Sequence, residues 1–109
     1  MVHDLPDRKA LTRYSNAAFN VLQFDMLGEM AASLGLHGER VERAIAALRA
    51  FDEAGGEGEE RLTLLRAAAQ EVWAYFVQRE MCGFRNNSDA VAQYRIPGEV
   101  LARLGAVER

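Results

Sequence analysis

The chain has 109 residues, half of them apolar and 27% charged, with a net charge of −3. That balance fits one soluble globular domain, and a mildly acidic surface is poorly suited to gripping nucleic acid by bulk charge. The single cysteine excludes an intramolecular disulfide, and no uncharged apolar run approaches the ~18 residues of a membrane span. Residues 1–13 carry Asp4, Asp7, Arg8, Lys9 and Arg13 where a signal sequence would be apolar, so the expected location is the cytoplasm.

Residues 1–11, broken by Pro6, are expected to form a flexible N-terminal arm, and residues 12–105 a single helical domain. A first helix starts between Thr12 and Ser15, either of which can cap it. It covers about 13–34 on the periodicity of Ala18, Val21, Leu22, Leu27, Met30 and Leu34. Gly35 is expected to stop it, with Leu36 folding back onto its last turn. A second helix, about 38–52, buries Val41, Ala44, Ile45, Leu48 and Phe51 and wets Glu39, Arg40, Glu42, Arg43 and Arg49. His37 falls in the linker between them. The stretch AGGEGEE, 54–60, is the clearest loop, since three glycines there remove helical preference.

The third helix, about 59–82, is the longest apolar pattern. Leu62, Leu65, Ala69, Val72 and Phe76 alternate in steps of three and four, and Leu64, Ala68, Trp73, Tyr75 and Val77 widen the stripe. A helix apolar over so much of its surface is expected to be central. Gly83 ends it and Phe84 folds back. Asn86, Asn87 and Ser88 form a turn that starts a short helix, about 88–94. Ile96-Pro97 demands extended backbone before the proline. A last short helix, about 97–104, stops at Gly105, and 106–109 form a frayed tail. Phe84, Tyr94 and Ile96 are expected to return along the central helix and cover it. The fold class is therefore all-α: three main helices and one or two short C-terminal ones.

The segments VWAYFVQREMCGFRNN and VAQYRIPGEVLARLG, preceded by FDMLGEMAASLG, resemble an uncharacterised family of small bacterial all-helical proteins, a domain of unknown function. The resemblance covers roughly residues 17–105. It implies a small all-α fold and carries no activity, cofactor or site residue.

No catalytic, cofactor or metal site is expected. His3 and His37 do not form a paired helical motif, there is no cysteine pair, and the glycines at 55, 56 and 58 lack the Lys-Ser/Thr of a phosphate loop. Cys82 lies at a helix C-terminus, where the dipole disfavours a thiolate, so it reads as a buried, unreactive thiol. Residues 27–48 fit the small-residue, glycine-turn and apolar-anchor pattern of a helix-turn-helix. Glu39 and Glu42 on the would-be reading helix oppose DNA binding. Trp73, Tyr75 and Tyr94 could line a small-molecule pocket.

The polar cluster Arg79, Arg85, Asn86, Asn87, Tyr94 and Arg95 is the candidate ligand or partner site. Arg79 continues the apolar stripe three residues after Phe76, and a buried arginine demands partners. The plainer reading is a salt-bridged corner that holds the C-terminal segment to the long helix. The expectation that combines these points is a non-enzymatic helical interaction module. Its partner would be a second copy of itself or another protein, with no cofactor, membrane or nucleic acid.

Overall fold

Gly35 does not break the chain. The computed structural model describes residues 8–104, and of Tyr14 the backbone alone. In it one helix, α1 (Arg8–Glu53), runs through the position where the sequence suggests a stop. Glycine in mid-helix costs only about 1 kcal/mol relative to alanine, which tertiary packing readily offsets. Here Leu34, Gly38, Val41, Ile45 and Leu48 follow each other in steps of four and three. Val41, Ile45 and Leu48 are buried and Leu34 packs against them. A left-handed residue at 35 would take Leu34 out of phase with that stripe. Gly55, Gly58 and Gly83 are the described glycines with positive φ.

Three more helices follow: α2 (Glu59–Met81), α3 (Ser88–Tyr94) and α4 (Gly98–Ala102). No strand occurs among the described residues, so the all-α class holds, with the two expected N-terminal helices fused into one. The expected start between Thr12 and Ser15 becomes Arg8. The remainder of the expected arm (1–7), the Gly105 stop and the tail (106–109) lie outside the described residues.

Local signals set the helix ends. Beyond α1, Gly55 at φ 77° lets its N–H reach the Asp52 carbonyl (3.0 Å) and that of Gly56 the Phe51 carbonyl (2.9 Å). Beyond α2, Gly83 at φ 95° does the same, with Gly83 N–H to Glu80 (3.0 Å) and Phe84 N–H to Arg79 (2.9 Å). Both are Schellman closures, which satisfy carbonyls that a helix end leaves unpaired. α3 closes the same way, yet the left-handed residue is Arg95 at φ 51°, with Ile96 N–H on the Val91 carbonyl (3.0 Å). A non-glycine residue held there costs about 1 kcal/mol or more. Pro97 then caps α4 with extended backbone, as its fixed φ and missing N–H allow.

The chain divides into two units, Met1–Ala32 and Ser33–Arg109, with α1 contributing to both. In the second unit the core joins Val41, Ile45 and Leu48 of α1 to Leu65, Ala68, Ala69, Val72 and Tyr75 of α2. Ala90, Ile96 and Val100 close it. α2 is thus central, as its apolar width implies, and α4 packs on it. Tyr94 packs its ring edge-on against Tyr75, with centroids 5.6 Å apart. Its hydroxyl lies over Gly38, in the space a Cβ there would need. Gly38 therefore serves close packing between α1 and α3.

Among its described residues the first unit has no such core. Between residues 17 and 27, eight of eleven residues are apolar: Ala17, Ala18, Phe19, Val21, Leu22, Phe24, Met26 and Leu27. The six large ones are each 51–77% exposed. The expected first-helix stripe exists as a pattern, but Val21, Leu22 and Leu27 lie open rather than in the core.

Candidate functional site

The 79–95 cluster is built at the C-terminal end of α2. Arg79 is 6% exposed, one turn beyond buried Tyr75 on the face that carries the core. The chain reverses at Gly83 and brings the Asn86–Asp89 turn back over it. Arg79 Nε donates to Asn87 Oδ1 at 2.9 Å, and Nη2 donates to the Asn86 carbonyl at 3.3 Å and to Asp89 Oδ1 at 2.8 Å. Its guanidinium also lies 4.7 Å from the Phe84 ring centroid and 5.7 Å from that of Tyr75. Asn86 Oδ1 in turn accepts from the Ser88 N–H at 2.9 Å.

Of the six predicted site residues, Arg79, Asn86 and Asn87 are brought together and engaged with one another. Arg85 is exposed on the same turn. Tyr94 faces Tyr75, and burial followed by the Tyr75 hydrogen bond pushes its phenol above the ordinary range. Arg95 is a helix-closing residue whose carbonyl accepts from the Arg49 guanidinium. The arrangement is a structural corner: the charge of Arg79 is spent on Asp89 and the two asparagines. Phe84 is only half covered, 45% exposed, because its contact is the flat face of Arg79 rather than the core. Ile96 is the residue of this segment that enters the core.

One polar centre escaped the sequence reading. Arg61, on the first turn of α2, makes two bidentate pairs. Its Nε and Nη2 donate to Asp52 at 2.7 and 3.1 Å, and its Nη1 and Nη2 donate to Glu99 at 2.7 and 2.9 Å. It ties the end of α1 and the start of α4 to α2. The Asp52 partner, nine residues away across the Gly55–Gly58 loop, was legible in principle; Glu99, 38 residues away, was not.

The Arg61 hydrogen bonds hold the Asp52 and Glu99 carboxyls below their usual range, and the two carboxylates hold the guanidinium above its own, Glu99 contributing most. For a carboxyl with lowered folded-state pKa, the stabilisation is present above the unfolded pKa and disappears as pH falls through the folded one. Arg61→Gln is therefore expected to flatten the loss of stability between roughly pH 5 and 3, the range where carboxyls titrate. Thermal melts across that range in both proteins check it. Parallel curves would mean that the clasp is too well hydrated to matter.

The remaining candidates place as follows. Residues 27–48 lie within one helix, so the turn that a helix-turn-helix needs is not there. Cys82 is half-buried at the α2 C-cap, with its sulfur 3.9 Å from Gln78 Nε2. Trp73 is half-buried, while Tyr75 and Tyr94 pack on each other. His37 is in α1, not a linker, and its Nδ1 is enclosed without a hydrogen-bond partner. Among the described residues no three His, Cys, Asp or Glu side chains converge as metal ligands, and no helix is long and apolar enough to cross a membrane.

No curated protein and no solved structure matches the chain. A family model matches residues 4–109, nearly its whole length, and the chain therefore belongs to the family of unknown function DUF6665.

Proposed function

We propose that this protein is a non-enzymatic helical interaction module that works as a homodimer, with residues 11–27 of α1 as its working surface. One observation carries the reading. Phe19, Val21, Leu22, Phe24, Met26 and Leu27 crowd one short stretch and are each more than half exposed. Contiguous apolar surface on that scale marks an association site, and a helix apolar around most of its circumference belongs between neighbours rather than in water.

The polar cluster at Arg79, by contrast, is internally satisfied, and the Arg61 clasp joins elements of one unit. Neither offers free chemistry to a ligand. Light scattering on a gel-filtration column tests the proposal. At tens of micromolar the expected mass is twice the 12.1 kDa of the chain; a monomer mass overturns it.

A further inference from the structure

We infer that the occupant of the exposed apolar stretch is the same stretch of a second copy, laid antiparallel and centred near residue 20. This rests on the homodimer reading above and adds the orientation and register. The charge order supports it. Within 8–32 the charged residues are Arg8, Lys9 and Arg13, then Asp25 and Glu29, so every positive one precedes every negative one. Residues 14–24 between them carry no charge.

A parallel pair would set three cations beside three cations and two carboxylates beside two. An antiparallel pair sets each basic end beside the partner's acidic end, which is favourable along both edges. The basic residues centre near residue 10 and the acidic ones near residue 27, so the midpoint between them falls at about residue 18–19. The apolar run 17–27 is centred on residue 22. Charge and apolar pattern thus bracket a centre near residue 20. A two-fold axis there makes the patch its own complement, which is the symmetry of the commonest dimers.

A two-helix contact covers one face of α1: Ala17, Val21, Phe24 and Gly28 recur in steps of four and three and form such a face, while Phe19, Leu22 and Met26 lie on the opposite side. Gly28 fits the same arrangement. It sits in α1 with helical backbone, and a Cβ built on it would meet nothing within 4 Å. Its lack of a side chain thus serves no contact among the described residues, whereas it would let a second backbone approach.

Inter-label distances between paired electron spins test orientation independently of which helix faces meet. Single cysteines replace Thr12, Asn20 or Glu29, each an exposed polar position, in a Cys82→Ser background, and each carries one spin label. With a rise of ~1.5 Å per residue and axes ~10 Å apart, antiparallel pairing centred near 20 puts Asn20→Cys labels near ~15 Å and both Thr12→Cys and Glu29→Cys labels near ~30 Å. Short distances at all three positions mean a parallel pair and overturn this inference while the homodimer stands. A dimer with long distances at all three associates elsewhere, and overturns it too. A monomer mass with no inter-label distance overturns the homodimer reading itself.

Discussion

Arg79→Ala is expected to lose about 3 kcal/mol of unfolding free energy, the largest effect of any single polar substitution in the second unit. The guanidinium makes three hydrogen bonds to the Asn86–Asp89 turn, one of them to a carboxylate. Hydrogen bonds that involve a charged group are worth roughly 1.5–3 kcal/mol each when their partner is lost. The sum is discounted here because the Asp89 side chain is 70% exposed and water takes over its share. Lysine should rescue little, because one ammonium cannot reach Asn87 from the Nε position and Asp89 from the Nη2 position together.

Phe84→Ala, by contrast, removes a half-exposed ring whose contact is the arginine face, and about 1 kcal/mol is expected. A Phe84 wholly folded into the core would have cost about 3 kcal/mol or more. Urea melts of the single and double variants separate the contributions. A loss under about 1 kcal/mol for Arg79→Ala would show that the turn holds itself, through Gly83, Ser88 and the Asn86 side chain.

Val21→Glu combined with Phe24→Glu is expected to raise the dimer dissociation constant at least 100-fold, while the second unit keeps its melting behaviour. Both residues are exposed, 63% and 77%, so the substitutions disturb no core among the described residues. In the dimer they place four carboxylates near the two-fold axis, and each buried charge without a partner costs several kcal/mol. A 100-fold change in dissociation constant needs only about 2.7 kcal/mol. Sedimentation equilibrium over a concentration series measures it. An unchanged dissociation constant would remove residues 21 and 24 from the interface. A collapse of the second unit's melting transition would mean that those side chains serve the fold instead.

Much of the architecture was legible because its causes are local. The stripe through Leu65, Ala69 and Val72 makes α2 a helix with one face inward. The apolar width added by Ala68 and Tyr75 makes it central, and all five are buried. Gly83 reads as a helix stop because a left-handed residue is cheapest as glycine, and Gly55 falls in the expected 54–60 loop; both have positive φ. The arginine on the apolar stripe announced its need for partners, and the nearby Asn86–Asn87–Ser88 turn identified where they would come from.

The tertiary structure decided the rest. Gly35 carries the same local signal as Gly83, yet α1 continues through it. A mid-helix glycine costs about 1 kcal/mol, less than keeping Leu34, Val41, Ile45 and Leu48 in one phase contributes. The clasp of Arg61 with Glu99 spans 38 residues, a distance over which sequence fixes no pairing. The periodicity of Val21, Leu22 and Leu27 correctly demanded a helix. Only the structure revealed that nothing in the described chain covers those side chains. Periodicity reports that a helix has an apolar surface; burial depends on what lies opposite, and that is a property of the packed chain.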